Sequence, residues 1–113
     1  MIIDVEADEL LMDMPHDSKL EVLDVRRPAE FANGHLQNAV NMPLNEMDDV
    51  ASIAELEEEK NYYIHCAGGY RSVIAASLLK RQGIHNLRNV LGGWESIKQQ
   101  PDVKIIKEAN VLN

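Results

Sequence analysis

The 113-residue chain carries 11 Lys+Arg against 19 Asp+Glu, one cysteine and 45% hydrophobic residues. That length suits a single domain. A lone cysteine excludes an internal disulfide and a multi-cysteine zinc site, and a formal charge of −8 argues against a nucleic-acid binder. No apolar run approaches the ~20 residues of a membrane helix. The acidic opening segment lacks the basic-then-apolar layout of a signal peptide. The expectation is a cytoplasmic protein with neither membrane nor nucleic-acid partners. Charge is unevenly spread: residues 1–60 carry 16 acidic and 4 basic side chains, whereas residues 61–113 carry 3 and 7. Cys66 lies in the positive half.

In chain order, Met1 to Val5 reads as a strand and Ala7 to Met14 as a short helix, broken by Pro15, Asp17 and Ser18. Glu21 to Val25 reads as a buried strand. Pro28 suits the first turn of a short helix that Gly34 closes. Ala39 to Met42 is a short strand ending at Pro43. Asn45 suits an N-cap, with Met47, Val50, Ile53 and Leu56 at helical spacing. The acidic cluster from Glu55 to Glu59 reads as a solvated face. Asn61 to His65 is the next strand, and Ser72 to Gln82 is the clearest helix, expected to be buried on most of its circumference. Lys80 and Arg81 suit its negative dipole end, and Gly83 its C′ position. Leu87 to Val90 is a last strand, after which Gly92-Gly93 turns the chain into a helix carrying Trp94 and Ile97. Pro101 ends that helix, and the pair Ile105-Ile106 has no readable role. Apolar runs alternating with helical patterns indicate an α/β fold: about five mainly parallel strands with helices on both faces.

The informative segment is strand, Cys66, Ala67-Gly68-Gly69-Tyr70, Arg71, helix. A cysteine between a strand and a helix N-terminus sits beside unpaired backbone N–H groups and the positive end of the helix dipole. Gly68 and Gly69 let the backbone curl into an anion-binding nest. Such surroundings favour thiolate, the nucleophilic form, and Arg71 can brace the loop or hold an anionic group. A lone buried cysteine is most often a small core hydrophobe; the Gly-Gly pair, Arg71 and the following helix favour the nucleophile here.

With these residues in view, residues 1 to 100 resemble the rhodanese-like domains of the sulfurtransferase family. The matching pieces are Glu21-Val-Leu-Asp-Val-Arg26, Pro28-Ala-Glu-Phe-Ala-Asn-Gly-His35 with Ala39-Val-Asn-Met-Pro43, His65-Cys-Ala-Gly-Gly-Tyr-Arg-Ser72 and Asn89-Val-Leu-Gly-Gly-Trp94. The segment Gly68 to Ser77 also resembles rhodanese domains attached to metallo-β-lactamase-fold proteins of persulfide metabolism. The likeness implies catalysis by Cys66 and Arg71, with Ala67, Gly68, Gly69, Tyr70 and Ser72 cradling a persulfide, and with no metal or cofactor. Cys-x4-Arg matches the six-residue loop of sulfurtransferases rather than the Cys-x5-Arg of related phosphatases. A small sulfur donor and a thiol or cyanide acceptor are implied, and a partner protein or fused domain is left open, as is a carrier module that does not turn over. A loop whose only charge is Arg71 favours a small persulfide over dianionic thiosulfate.

Around the loop, Asp24 is expected to line the pocket, to support the loop or to pair with an arginine. His35 is expected either at the site or packed and hydrogen-bonded, and Trp94 either as pocket wall or as core. Arg26 and Glu30 are expected to form an ion pair. His65 should point to the face opposite Cys66. Residues 101–113 are treated as a tail without assigned role.

Overall fold

The computed structural model describes residues 2–47 and 49–108. Five parallel strands form the sheet: β1 (Ile3–Val5), β2 (Leu20–Asp24), β3 (Val40–Asn41), β4 (Asn61–His65) and β5 (Leu87–Val90), in the spatial order β1-β5-β4-β2-β3. Helix α1 (Ala7–Asp13) follows β1, α2 (Val50–Ala54) lies in the connection from β3 to β4, α3 (Tyr70–Arg81) in the crossover from β4 to β5, and α4 (Gly93–Ile97) follows β5. A further five-residue helix, Pro28–Ala32, carries no buried residue.

Strand alternation sorts the core into two clusters, one per sheet face. Leu23, Val25, Tyr62, Ile64, Ala75, Ala76 and Leu79 pack on the α3 side. Val5, Leu10, Val22, Tyr63, Val90 and Ile97 pack on the α1 and α4 side. Helices therefore cover both faces, as the rhythm of the sequence predicts. The central strands β2 and β4 are paired in register from Leu20↔Asn61 to Asp24↔His65, so both deliver their C-terminal ends to the same rim of the sheet. Ligands of parallel α/β sheets bind beyond such carboxyl ends.

Three local expectations differ from the structure. The helix expected from Asn45 is broken: Leu44–Glu46 is a 3-10 turn, and α2 is capped by Asp49, whose carboxylate accepts from Ala51 N at 3.0 Å. Asn45 and Asp49 are equivalent N-cap types, and burial of Met47 between them leaves the cap to Asp49, with Val50 81% exposed. Helix α3 starts at Tyr70 and buries only Ser72, Ala75, Ala76 and Leu79. Its two alanines seat it close to the sheet, which turns Val73 and Ile74 outward. Finally, Ile105–Ile106 forms a short strand, β6, antiparallel to the pair His35–Leu36. Two-residue strands bear no readable periodicity, so this pairing is visible only in three dimensions. Met1 of the first expected strand and residues 109–113 of the tail lie outside the described residues.

Candidate active site

Cys66 directly follows β4. Alternation places its side chain with Tyr62 and Ile64, in the core cluster beneath α3, where it is 1% exposed. It is thus both a core residue and the centre of a polar cradle. Gly69, the residue before α3, has φ +113, a left-handed conformation natural only to glycine. That turn aims Gly69 N–H at the Cys66 sulfur, 3.0 Å away. The backbone N–H groups of Arg71 and Ser72, in the first turn of α3, add to it. Ser72 Oγ lies 3.6 Å from the sulfur and donates to Asn89 Oδ1 at 2.6 Å. Asn89 Nδ2 in turn donates to Asp4 Oδ1 at 3.1 Å. Burial pushes the Cys66 thiol up, but the hydrogen bonds from Ser72, Gly69 and Arg71 outweigh it and hold the pKa below the ordinary thiol value.

The back of the loop is clamped by α4. Trp94 N–H donates to Cys66 O at 2.7 Å and Glu95 N–H to Ala67 O at 3.1 Å. Such an approach needs a glycine at position 93: its φ is +55, and an added Cβ would collide with Cys66 O and Ala67 O. The Gly-Gly pair before Trp94 is therefore a seat for the cysteine loop.

Arg71 is tethered rather than loose. Its two terminal nitrogens bond both Glu30 oxygens at 2.8 and 3.0 Å, and this bond holds the Glu30 carboxyl down at about 2. The expected Arg26–Glu30 pair is therefore not formed. Arg26 instead meets Asp24, with Nε at 2.9 Å and Nη2 at 2.7 Å, while Glu30 is shared between Arg71 and Arg27. The strand end holds Asp24 and Arg26 two residues apart inside the fold, and a buried carboxylate takes the nearest guanidinium.

The remaining candidates lie below this surface. Asp24 is fully buried and pairs with an arginine, one of its three expected roles. Arg26 continues to Gly34 O at 2.7 Å and lies over the Trp94 ring at 4.7 Å. Trp94 packs against the β1-side core cluster. His35 is packed and hydrogen-bonded: its Nδ1 is 2.8 Å from Phe31 O and its ring stacks on Phe31. His65 points away from the Cys66 side chain, toward Asp24 and Trp94. Its Nδ1 lies 3.1 Å from Cys66 O, its Nε2 has no hydrogen bond, and burial holds it below the ordinary histidine value against the pull of Asp24.

The sequence pairs Glu30 with Arg26 and gives Asn89 and Asp4 no role beside the cysteine. Glu30 stands 41 residues from Arg71 and Asn89 17 from Ser72, and no local spacing rule reaches that far.

The family model for the rhodanese-like domain matches residues 6–100. The chain belongs to the rhodanese-like family. The "Putative sulfur carrier protein YrkF" of Bacillus subtilis is 39% identical over 77 residues, a match spanning 68% of this chain and 40% of that longer protein. The thiosulfate sulfurtransferase PspE of Escherichia coli K12 is 28% identical over 95 residues, covering 84% of this chain and 89% of PspE. Among solved structures, a rhodanese-related protein from Thermoplasma volcanium superposes with a TM-score of 0.80 at 31% identity, covering 94% of this chain and 99% of its own. Relatives of this rhodanese-like domain thus include proteins named as sulfurtransferases and as sulfur carriers, which supports a sulfur-transfer role. No helix among the described residues is long and apolar enough to cross a membrane.

Proposed function

We propose that residues 1–100 form a sulfurtransferase unit that works through a persulfide on Cys66. The observation that carries this reading is the Cys66 sulfur under convergent N–H donors, with its pKa depressed despite burial. The thiolate attacks the outer sulfur of a donor R–S–SH. The new Cys66 S–S bond forms as the donor S–S bond breaks, and its electron pair leaves on the thiolate RS⁻. The proton stays on the transferred sulfur, or passes to solvent once the loop amides stabilise the charged persulfide. An acceptor thiolate, or cyanide leaving as thiocyanate, then attacks the terminal sulfur and restores Cys66. As the sole cysteine, Cys66 has no internal thiol to resolve it, so the acceptor comes from outside.

A small organic persulfide is the preferred donor. Arg71, the loop's only cation, is already neutralised by Glu30, so the loop itself has no unpaired cation to grip the dianion of thiosulfate. The test is intact mass after separate incubation with thiosulfate and with glutathione persulfide. The expected result is a gain of one sulfur, larger with the persulfide, reversed by cyanide and absent in Cys66→Ser. That variant loses sulfur transfer entirely and only about 1 kcal/mol of stability, because a serine hydroxyl still accepts from Gly69 N–H. No adduct from either donor rejects the reading. An adduct that forms once but does not turn over with a thiol makes the domain a sulfur carrier, the role named for YrkF.

A further inference from the structure

Beside the Cys66 loop the surface opens into a cleft of about 650 Å³, lined by Val25, Arg27, Pro43, Leu44, Asn45 and Arg71. Its floor is fixed. Leu44 N–H donates to Val25 O at 3.1 Å, and both side chains pack with the cluster that contains Cys66. Its rim includes Arg71, from the end of the cysteine loop. A volume of this size suits a small organic molecule and exceeds the needs of an inorganic oxyanion.

The two rim arginines differ in what they have left to offer. Arg71 places both terminal nitrogens on Glu30 at 2.8 and 3.0 Å. Arg27 donates its backbone N–H to the same carboxylate at 3.0 Å, but its guanidinium touches it through Nε alone, at 3.3 Å, and its side chain is 78% exposed. Two guanidiniums against one carboxylate leave a net positive charge, and among the described residues the terminal N–H pair of Arg27 has no partner. That fork matches one carboxylate.

We infer that this cleft binds the organic body of the sulfur donor, and that Arg27 selects donors bearing a carboxylate. The apolar floor of Val25, Pro43 and Leu44 takes the methylene and peptide portions, the Arg27 fork takes the carboxylate, and the sulfur end reaches Cys66. The class is a carboxylate-bearing, low-molecular-weight thiol persulfide. This assignment rests on the sulfur-transfer reading and names its substrate class.

The experiment compares wild type with Arg27→Met in single-turnover persulfidation of Cys66, using glutathione persulfide and the persulfide of glutathione diethyl ester. Removing the fork should raise the half-saturating concentration of the acid by roughly threefold to tenfold, the range of an exposed charge-assisted hydrogen bond. The limiting rate should hold, and the ester should shift less than twofold. Arg27→Lys should recover part of the preference, and salt should erode it. Equal behaviour of Arg27→Met and wild type toward both donors overturns the inference, as does an equal loss with both. Binding of reduced glutathione to Cys66→Ser, followed by titration calorimetry, separates the two levels. Arg27-dependent binding with no sulfur uptake in wild type retains the cleft and rejects the chemistry. Sulfur uptake without Arg27-dependent binding does the reverse.

Discussion

Replacing Glu30 with glutamine removes the charge that holds Arg71 while keeping the shape of the side chain. The bond from Arg71 holds the Glu30 carboxyl at about 2, against an ordinary value of 4.5. A depression of that size corresponds to about 3 kcal/mol of linked stability as an upper bound. Glu30 is 25% and Arg71 31% exposed, so solvent screening lowers the figure to roughly 2 kcal/mol. Because the folded pKa lies below the unfolded one, this stability is fully present above pH 4.5 and is lost as the pH falls toward 2. Urea unfolding of wild type and Glu30→Gln should therefore show a gap of roughly 2 kcal/mol at neutral pH, nearly the same at about pH 5 and less than half as large near pH 3. A gap that persists undiminished at the acid end would mean that Glu30 acts through packing rather than charge. Absence of a gap at neutral pH would mean that water already screens the pair completely, and the tether would cease to explain Arg71's position.

Ser72→Ala removes the hydroxyl 3.6 Å from the Cys66 sulfur, which can turn its proton from Asn89 to the thiolate, so the thiol pKa should rise. The pH dependence of alkylation rate reads this out, and an unchanged or lower inflection would show that the backbone amides alone set the pKa. Gly93→Ala forces a Cβ against Cys66 O and Ala67 O at a left-handed φ, which should cost about 2 kcal/mol or more in thermal unfolding and slow sulfur uptake by Cys66. Wild-type stability and rates in this variant would mean that the loop and α4 can separate without consequence.

Much of this protein is legible along the chain because the deciding interactions are local. The strand from Asn61 to His65 and the strand from Leu87 to Val90 coincide with their expected limits, since the first holds Tyr62, Tyr63 and Ile64 and the second lies between Gly83 and the Gly92-Gly93 turn. The donors around the Cys66 sulfur are equally local: Cys66, the left-handed Gly69 and Ser72 in the first turn of α3 lie within seven consecutive residues. Alternation alone also sends His65 to the other face. The helix expected at Asn45 fails because two cap signals four residues apart compete, and burial of Met47 decides between them.

The partners of the charged residues belong to the tertiary structure. Arg26 lies close in sequence to both Asp24 and Glu30, and spacing cannot choose between them. The choice follows from burial, which puts Asp24 and Arg26 together in the interior and leaves Glu30 at the rim for Arg71. The seat that α4 forms for the cysteine loop, the Ser72–Asn89–Asp4 chain and the pairing of Ile105–Ile106 with His35–Leu36 all join residues distant along the chain. Short-range pattern specifies which segments become strands and helices and sets Cys66 between a strand and a helix N-terminus. Only the packing of those segments fixes which guanidinium is neutralised by Glu30 and which is left exposed at the rim of the cleft beside Cys66.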